Sequence, residues 1–270
     1  MKIVVLMKQV PDTTEVRLDP VKGTLIREGV PSIMNPDDKA ALEEALKIKD
    51  KNPGTTVTAI TMGPPQALAI LEEAWTMGAD RGILLTDRKF AGADTLATSN
   101  ALAAAVREIP YDVIIGGRQA IDGDTAQVGP QVAEHLGLPQ VSYAKEITIA
   151  PDGKSVEIKR VVEDGYYLFN VELPALITVL AEANSPRYMN VGRIVTLCEL
   201  EEKKDPAYPL EIWSVANVKI DEAKLGLAGS PTQVYKSFPK QLKPAGEVFE
   251  LDEKAAVEKI VSKLKERHII

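Results

Sequence analysis

Two hydrophobic periods divide this chain. Over the first 140 residues, short β-branched runs at 3–5 (IVV), 57–61 (VTAIT), 82–86 (GILLT) and 112–115 (DVII) alternate with segments whose apolar positions repeat at helical spacing. The clearest of these is NPDDKAALEEALKIKDKNPG, where Ala41, Leu42, Ala45, Leu46 and Ile48 form one stripe. Asn35 suits its N-cap, Pro36 its first helical position, and Asp37 and Asp38 the positive end of its dipole, while Asn52-Pro53-Gly54 stops it. PPQALAILEEAWTMGA, DTLATSNALAAAVREI and DTAQVGPQVAEHLG follow as three more helices. Strands alternating with helices predict right-handed crossovers and an α/β fold, a parallel sheet with helices on both faces.

After about residue 140 the period shortens. EITIAPDGKSVEIKRVV reads as a hairpin around Pro151-Asp152-Gly153, and GYYLFNVELPALITVL as further strand broken at Pro174, together an antiparallel extension of the same sheet. From Glu199 onward, EEKKDP, AGSPTQV and FPKQLKPAGE are rich in proline, glycine and charge until the closing helix DEKAAVEKIVSKLKER. So long an irregular stretch is unusual inside a compact domain. The chain therefore divides into an α/β domain over residues 1–198 and a C-terminal arm over 199–270, ordered by a partner, with a plain surface tail as the alternative.

Composition narrows the functions. A formal net charge of -7 argues against non-specific nucleic-acid binding, which needs a basic surface. No apolar run approaches the roughly 20 residues that cross a bilayer, so membrane insertion is not expected. MKIVVLMK is too short for the apolar region of a signal peptide, and the expected location is cytoplasmic. The single cysteine, Cys198, rules out an internal disulfide and reads as a small buried hydrophobe. Two histidines, His135 at a helix surface and His268, leave too few soft ligands for zinc.

Ligands of parallel α/β sheets sit beyond the carboxyl ends of the strands. Four strand ends here carry unusual loops: MKQVPDTTE (7–15), TMGPPQ (61–66), TDRKFAGADT (86–95) and GGRQAIDGDT (116–125). In the last, Gly116 and Gly117 let the strand turn, and the N–H groups of residues 124–128 open a helix and make an anion site. Thr125 and Gln127 add neutral donors, so a phosphate is the natural guest. Asp122 and Asp124 are anions and suit a ribose or base; simple helix capping is the alternative for the 122–125 stretch. No Walker loop, GxGxxG fingerprint or GxSxG elbow occurs. The pattern is a nucleotide pocket without machinery for covalent chemistry.

These residues, taken together, resemble the beta (small) subunit of electron transfer flavoproteins over essentially the full length. The matching stretches are KQVPDT at 8–13, MNPDD at 34–38, MGPPQ at 62–66, MGADRG at 77–82, GRQAIDGD at 117–124 and LPALITVLAEANSPRY at 173–188. The resemblance implies an adenine nucleotide alpha hydrolase-like domain paired, as a heterodimer, with an alpha subunit that holds an electron-carrying FAD. In one branch of the family the beta pocket holds a structural AMP. In the electron-bifurcating branch it holds a second FAD, which takes hydride from NADH and sends one electron to ferredoxin or flavodoxin and one to an acyl-CoA dehydrogenase. DGDTAQVGP, and Asp94, Thr95 and Thr98 within GADTLATSNAL, resemble the bifurcating branch. The implied nucleotide contacts fall on Leu6, Asn35, Pro36, Asp37, Asp38, Met62, Asp94, Thr95 and Thr98, and on the loop Asp122, Gly123, Asp124, Thr125, Ala126, Gln127 and Val128. For Thr95 and Thr98, capping and packing are the alternative.

Arg118 reads as a loop anchor or a flavin-adjacent cation. SPRYMNVGRI corresponds to the family's dehydrogenase-recognition loop, here Arg187, Tyr188, Met189, Asn190, Val191 and Gly192, with Val191 at a tip where leucine is usual in the other branch. No catalytic acid–base pair is expected, since hydride and electron transfer are the cofactor's chemistry. A carrier subunit with AMP and a stand-alone nucleotide-binding regulatory protein are the alternative functions.

Overall fold

The computed structural model describes residues 1–12, 31–233, 246 and 248–270. Among them are strands β1 (Lys2–Met7), β2 (Gln9–Pro11) and β3 (Ser32–Met34), helix α1 (Pro36–Lys51), β4 (Thr56–Met62), α2 (Leu68–Met77) and β5 (Arg81–Leu85). Then come α3 (Thr95–Arg107), β6 (Val113–Gly117), α4 (Val128–Leu136), β7 (Gln140–Ile149), β8 (Ser155–Val162), β9 (Gly165–Glu172) and β10 (Ala175–Val179). Helix α5 (Val191–Glu202), β11 (Leu210–Trp213) and α6 (Glu253–Glu266) complete the chain.

Nine strands form one sheet in the order β11-β5-β4-β1-β6-β10-β7-β8-β9. The pairs from β11 through β7 are parallel, and β7-β8 and β8-β9 are antiparallel. β1 lies at the centre because it is apolar on both faces, as parallel strands covered twice must be. Ile3 and Val5 join a core with Leu42 and Leu46 of α1 and Ile70 and Leu71 of α2. Their alternates Val4 and Leu6 join a second core with Leu102 and Val106 of α3 and Val132 of α4. The period-2 alternation of one strand thus assigns α1 and α2 to one face of the sheet and α3 and α4 to the other.

The structure corrects several sequence expectations. The residues after Pro174 do not extend the antiparallel part: β10 inserts in parallel between β6 and β7, and all five of its residues are buried. A buried apolar run bounded by proline carries no record of strand direction. Helix α4 starts at Val128, because Asp124 and Ala126 both have φ of 53° and no right-handed helix can include them. The SPRYMNVGRI segment is loop only to Asn190, whose side chain accepts from Arg193 N–H at 3.1 Å and caps α5. Cys198 is exposed: Leu197 is the residue of α5 that turns into the core.

The compact unit that contains the sheet runs from Met1 to Arg17 and from Leu25 to Tyr235, so the expected boundary at residue 198 falls inside α5. Beyond that boundary β11 pairs with β5 at the sheet's edge. A second unit comprises Leu18–Thr24 and Lys236–Ile270. Its helix α6 is capped by Asp252, whose carboxylate accepts from Ala255 N–H at 2.9 Å. The irregular stretch read over 238–247 lies outside the described residues except Gly246, and so does the end of the loop read over 7–15. No helix among the described residues is long and apolar enough to cross a membrane.

Candidate functional site

β1 has β4 on one side and β6 on the other, so the chain's path reverses direction across the sheet at this point. In such sheets a crevice opens where the connections diverge, beyond the carboxyl ends of the two central strands. Four segments meet there: Lys8 after β1, Gly117 and Arg118 at the end of β6, the first turn of α1, and the loop leading to α4.

The first turn of α1 works as a clasp. Asp38 accepts from Lys8 N–H at 2.8 Å with one carboxylate oxygen and from Gly117 N–H at 2.9 Å with the other. Asp37 accepts from Ala181 N–H at 3.0 Å and from Gln119 N–H at 3.3 Å, and Arg118 Nε lies 3.3 Å from it. Arg118 thus pairs by charge with the first turn of α1. Asn35 is fully buried and occupies the N-cap position, yet makes no side-chain cap bond. Its amide donates to Gln119 C=O at 2.7 Å and accepts from Ile121 N–H at 3.1 Å. Three side chains from one turn thus fix the ends of β1, β6 and β10 and the path of residues 117–121.

Burial raises both carboxyls. Asp37 lies above its usual range, chiefly through desolvation against the pull of Arg118. Desolvation pushes Asp38 to about 7, opposed by its bonds from Lys8, Asn35 and Gly117. Unfolded, Asp38 would ionise near 3.8. Between these values the folded chain holds a proton that the unfolded chain has lost, so this group's contribution to stability is full below 3.8 and is lost as pH rises through 7. We expect the unfolding free energy of the native chain, relative to Asp38→Asn, to fall between pH 4 and pH 7 by on the order of 1 kcal/mol per pH unit, and to level off above. Parallel profiles from denaturant titrations would contradict it.

The loop beyond the clasp is exposed and held at its corners. Lys8 Nζ grips both oxygens of Asp122, at 2.6 and 2.8 Å, and the Gln119 amide donates to Asp124. Both acidic residues that argued against an anion are thereby partnered within the protein. Asp124 and Ala126 hold left-handed backbone that costs about 1–2 kcal/mol each for residues with a Cβ. Strain of this kind collects at functional sites, and a backbone that alternates in hand turns successive N–H groups to one side, as anion sites require. Helix α4, which follows, has no side-chain cap. Its first N–H groups suit a phosphate. Gly123 and Thr125 stand exposed in the loop, and Val128 is half-buried as the first residue of α4.

A second helix start joins the first. Thr95, the first residue of α3, donates its hydroxyl to Gln127 Oε1 at 2.9 Å. Asp94 caps α3 by accepting from Ala97 N–H at 3.0 Å, and its other oxygen takes Thr232 Oγ1 at 2.6 Å and Thr232 N–H at 3.0 Å. Desolvation works against the Asp94 carboxylate, but the bonds from Thr232 and the helix amides hold it below its usual range. Thr98 lies one turn along α3, half-buried. Leu6 sits in register with Gly116, and Met62 ends β4. Lys8, Gln119, Ser230 and Thr232 escaped the sequence reading. Asp94 N–H donates to Ser230 Oγ across 136 positions of chain, a separation that leaves no local pattern to read.

Residues 22–216 match the family model described as "Electron transfer flavoprotein domain". The chain is 55% identical over 270 residues to the electron transfer flavoprotein subunit beta of Clostridium acetobutylicum, with all of both chains covered. It is 50% identical over 274 residues to subunit CarD of the caffeyl-CoA reductase-Etf complex of Acetobacterium woodii, again with full coverage of both. A third relative, the acryloyl-CoA reductase electron transfer subunit gamma of Anaerotignum propionicum, is 45% identical over 276 residues, with both chains fully covered. This chain belongs to the electron transfer flavoprotein family. It is a beta-type subunit, and the family assigns it to electron transfer in company with an alpha subunit.

The segment read as the family's docking loop lies on α1 and α2. Arg187 is held by α1, Asn190 N–H donates to Thr76 C=O at 2.9 Å, and Tyr188, Met189 and Val191 are exposed. Gly192 follows in the first turn of α5. Among the described residues no group of three or more His, Cys, Asp or Glu could hold a metal ion.

Proposed function

We propose that this chain is the beta subunit of a heterodimeric, electron-bifurcating flavoprotein of the cytoplasm, with FAD in the pocket beyond β1 and β6. In that reading the bound FAD supplies hydride chemistry with NADH, one electron passing to ferredoxin or flavodoxin and one, through the alpha subunit's FAD, to an acyl-CoA dehydrogenase. The observation that carries it is the Thr95–Gln127 bond. It makes the starts of α3 and α4 one continuous surface, suited to a dinucleotide, whereas a mononucleotide would need α4 alone. Relatives named for caffeyl-CoA and acryloyl-CoA reductase complexes favour the same assignment.

The chain's own residues divide the work. N–H groups of the 125–128 stretch bind phosphate, the N–H of Asp124 being given to Ala120 C=O. The hydroxyls of Thr98 and Thr125 donate to the nucleotide's polar atoms, while Thr95, whose proton goes to Gln127, accepts. Asp122, oriented by Lys8, accepts from a ribose hydroxyl. Leu6 and Met62 supply apolar cover at the strand ends. Asn35, before Pro36, and Asp37 and Asp38, after it, hold the loop in place through the clasp, and Asp94 fixes the start of α3.

Asp122→Ala should weaken nucleotide retention by about tenfold, the worth of one hydrogen bond to a charged group, and Thr125→Ala by a few-fold. Pairing with the alpha subunit should survive both changes. Nucleotide content after gel filtration of each heterodimer measures this, and native content in both variants would remove the loop from the site.

A further inference from the structure

The exposed apolar tip at Tyr188–Val191 is held far more firmly than its exposure requires. Tyr188 is 96% and Val191 73% exposed, yet the residues on both sides of them are bonded to helices. On one side, Arg187 donates to Glu43 three times: through its backbone N–H at 3.0 Å, Nε at 2.9 Å and a terminal nitrogen at 3.1 Å. The same guanidinium reaches Asp50, 2.8 Å away and seven residues further along α1. Asn184 adds bonds to Ala40 C=O at 2.9 Å and Glu44 at 2.8 Å. On the other side, Arg193 donates to Trp75 C=O at 2.7 Å and stacks 4.1 Å from the Trp75 ring.

Glu43 is only 5% exposed. A carboxylate is buried without loss only when paired and hydrogen-bonded, and its bidentate partner here is a loop residue 144 positions away. The bonds to Glu43 and Asp50 hold Arg187 above its usual range despite desolvation. Two acceptors two turns apart on α1 fix the loop along the helix axis as well as against it. A planar fork can span them, whereas a lysine ammonium reaches one point.

We propose that Arg187 is a positioning residue: its fork across Glu43 and Asp50 presets the Tyr188–Val191 tip in the conformation that docks on the dehydrogenase partner. The inference rests on the docking role that the family resemblance implies for this segment. An apolar tip ordered before encounter loses little freedom on binding, so a small contact can hold a partner. The helix that carries the fork is also the one whose first turn clasps the nucleotide loop. Tip and pocket are therefore registered to a single rigid element.

The test uses the complete heterodimer as electron donor to an acyl-CoA dehydrogenase. Arg187→Lys should raise the half-saturating heterodimer concentration about tenfold at unchanged maximal rate, the size expected when an interface anchor is loosened. Nucleotide content should stay native, and amide exchange at residues 188–190 should accelerate. Asp50→Asn, which removes the charge of the exposed acceptor and leaves the buried pair, should give a smaller shift of the same kind; it also serves if Arg187→Lys assembles poorly. Val191→Asp tests the docking role itself. If Val191→Asp weakens docking while neither Arg187→Lys nor Asp50→Asn shifts half-saturation or exchange, the positioning role is wrong. If Val191→Asp has no effect either, the docking role falls and takes the inference with it.

Discussion

Gly117→Ala should lower the melting temperature of the heterodimer by about 10 °C and release bound nucleotide. An added Cβ at residue 117 would lie 2.3 Å from Asp38 Oδ1 and 2.7 Å from both the carbonyl carbon and the Cβ of Asp37. None of these atoms can give way cheaply, since Asp38 is held by Lys8 N–H and Asp37 by Ala181 N–H. Overpacking of this kind costs about 1–3 kcal/mol, and losing the Gly117–Asp38 bond adds about 1–3 more. For a chain of this size each kcal/mol moves the melting temperature by roughly 2–4 °C. Gly116→Ala is the control, because its Cβ would meet nothing nearer than Leu6 Cβ at 3.6 Å, an ordinary contact. Thermal unfolding of the two variants, with protein concentration fixed, separates clasp from strand. Equal melting temperatures would mean that α1 does not hold the end of β6 in the way described.

Removing residues 236–270 should abolish pairing with the alpha subunit and leave the sheet intact. The buried hydrophobic residues among those described all lie between Ile3 and Leu225, so the core loses nothing. What goes is an apolar series in the second unit: Val248, Phe249, Leu251, Val257 and Ile260 are each between 46% and 89% exposed. On α6, Val257, Ile260, Val261 and Leu264 follow helical spacing, the pattern of a face that a partner covers. Covering the five would supply on the order of 5–10 kcal/mol, comparable to the whole of a micromolar affinity. Size-exclusion chromatography of the truncated chain with its alpha subunit should show two separate species at micromolar concentration. Coelution would refute the assignment of this segment to subunit pairing.

The sequence disclosed the parts of this fold that depend on period. β1, β4, β5 and β6 announced themselves as short β-branched runs, and α1 by its stripe and its Asn35-Pro36 start. What periodicity cannot encode is direction and partnership. β10 looked like its antiparallel neighbours, although its five consecutive buried positions are what a central parallel strand needs. β11 is four residues long and gains its place only by pairing with β5.

The candidate site divides the same way. The 116–128 stretch stood out because glycines and small polar residues at a strand end permit close approach by a ligand. Its left-handed residues, Asp124 and Ala126, gave no such warning, since aspartate and alanine usually occupy right-handed backbone. Asn35, Asp37 and Asp38 looked like an ordinary helix start, and their work in tying three strand ends together is visible only in three dimensions. Val191 reads in sequence as the tip of a loop and stands in the structure as the first residue of α5, because Asn190 caps that helix.

The most direct test of the central claim is nucleotide stoichiometry. The chain is copurified with its alpha subunit, reconstituted with excess FAD, freed of unbound nucleotide and denatured, and the released nucleotides are quantified by chromatography. Two FAD per heterodimer is the result predicted for a redox pocket beyond β1 and β6. One FAD and one AMP, unchanged by excess FAD, would contradict it and make the pocket a structural nucleotide site.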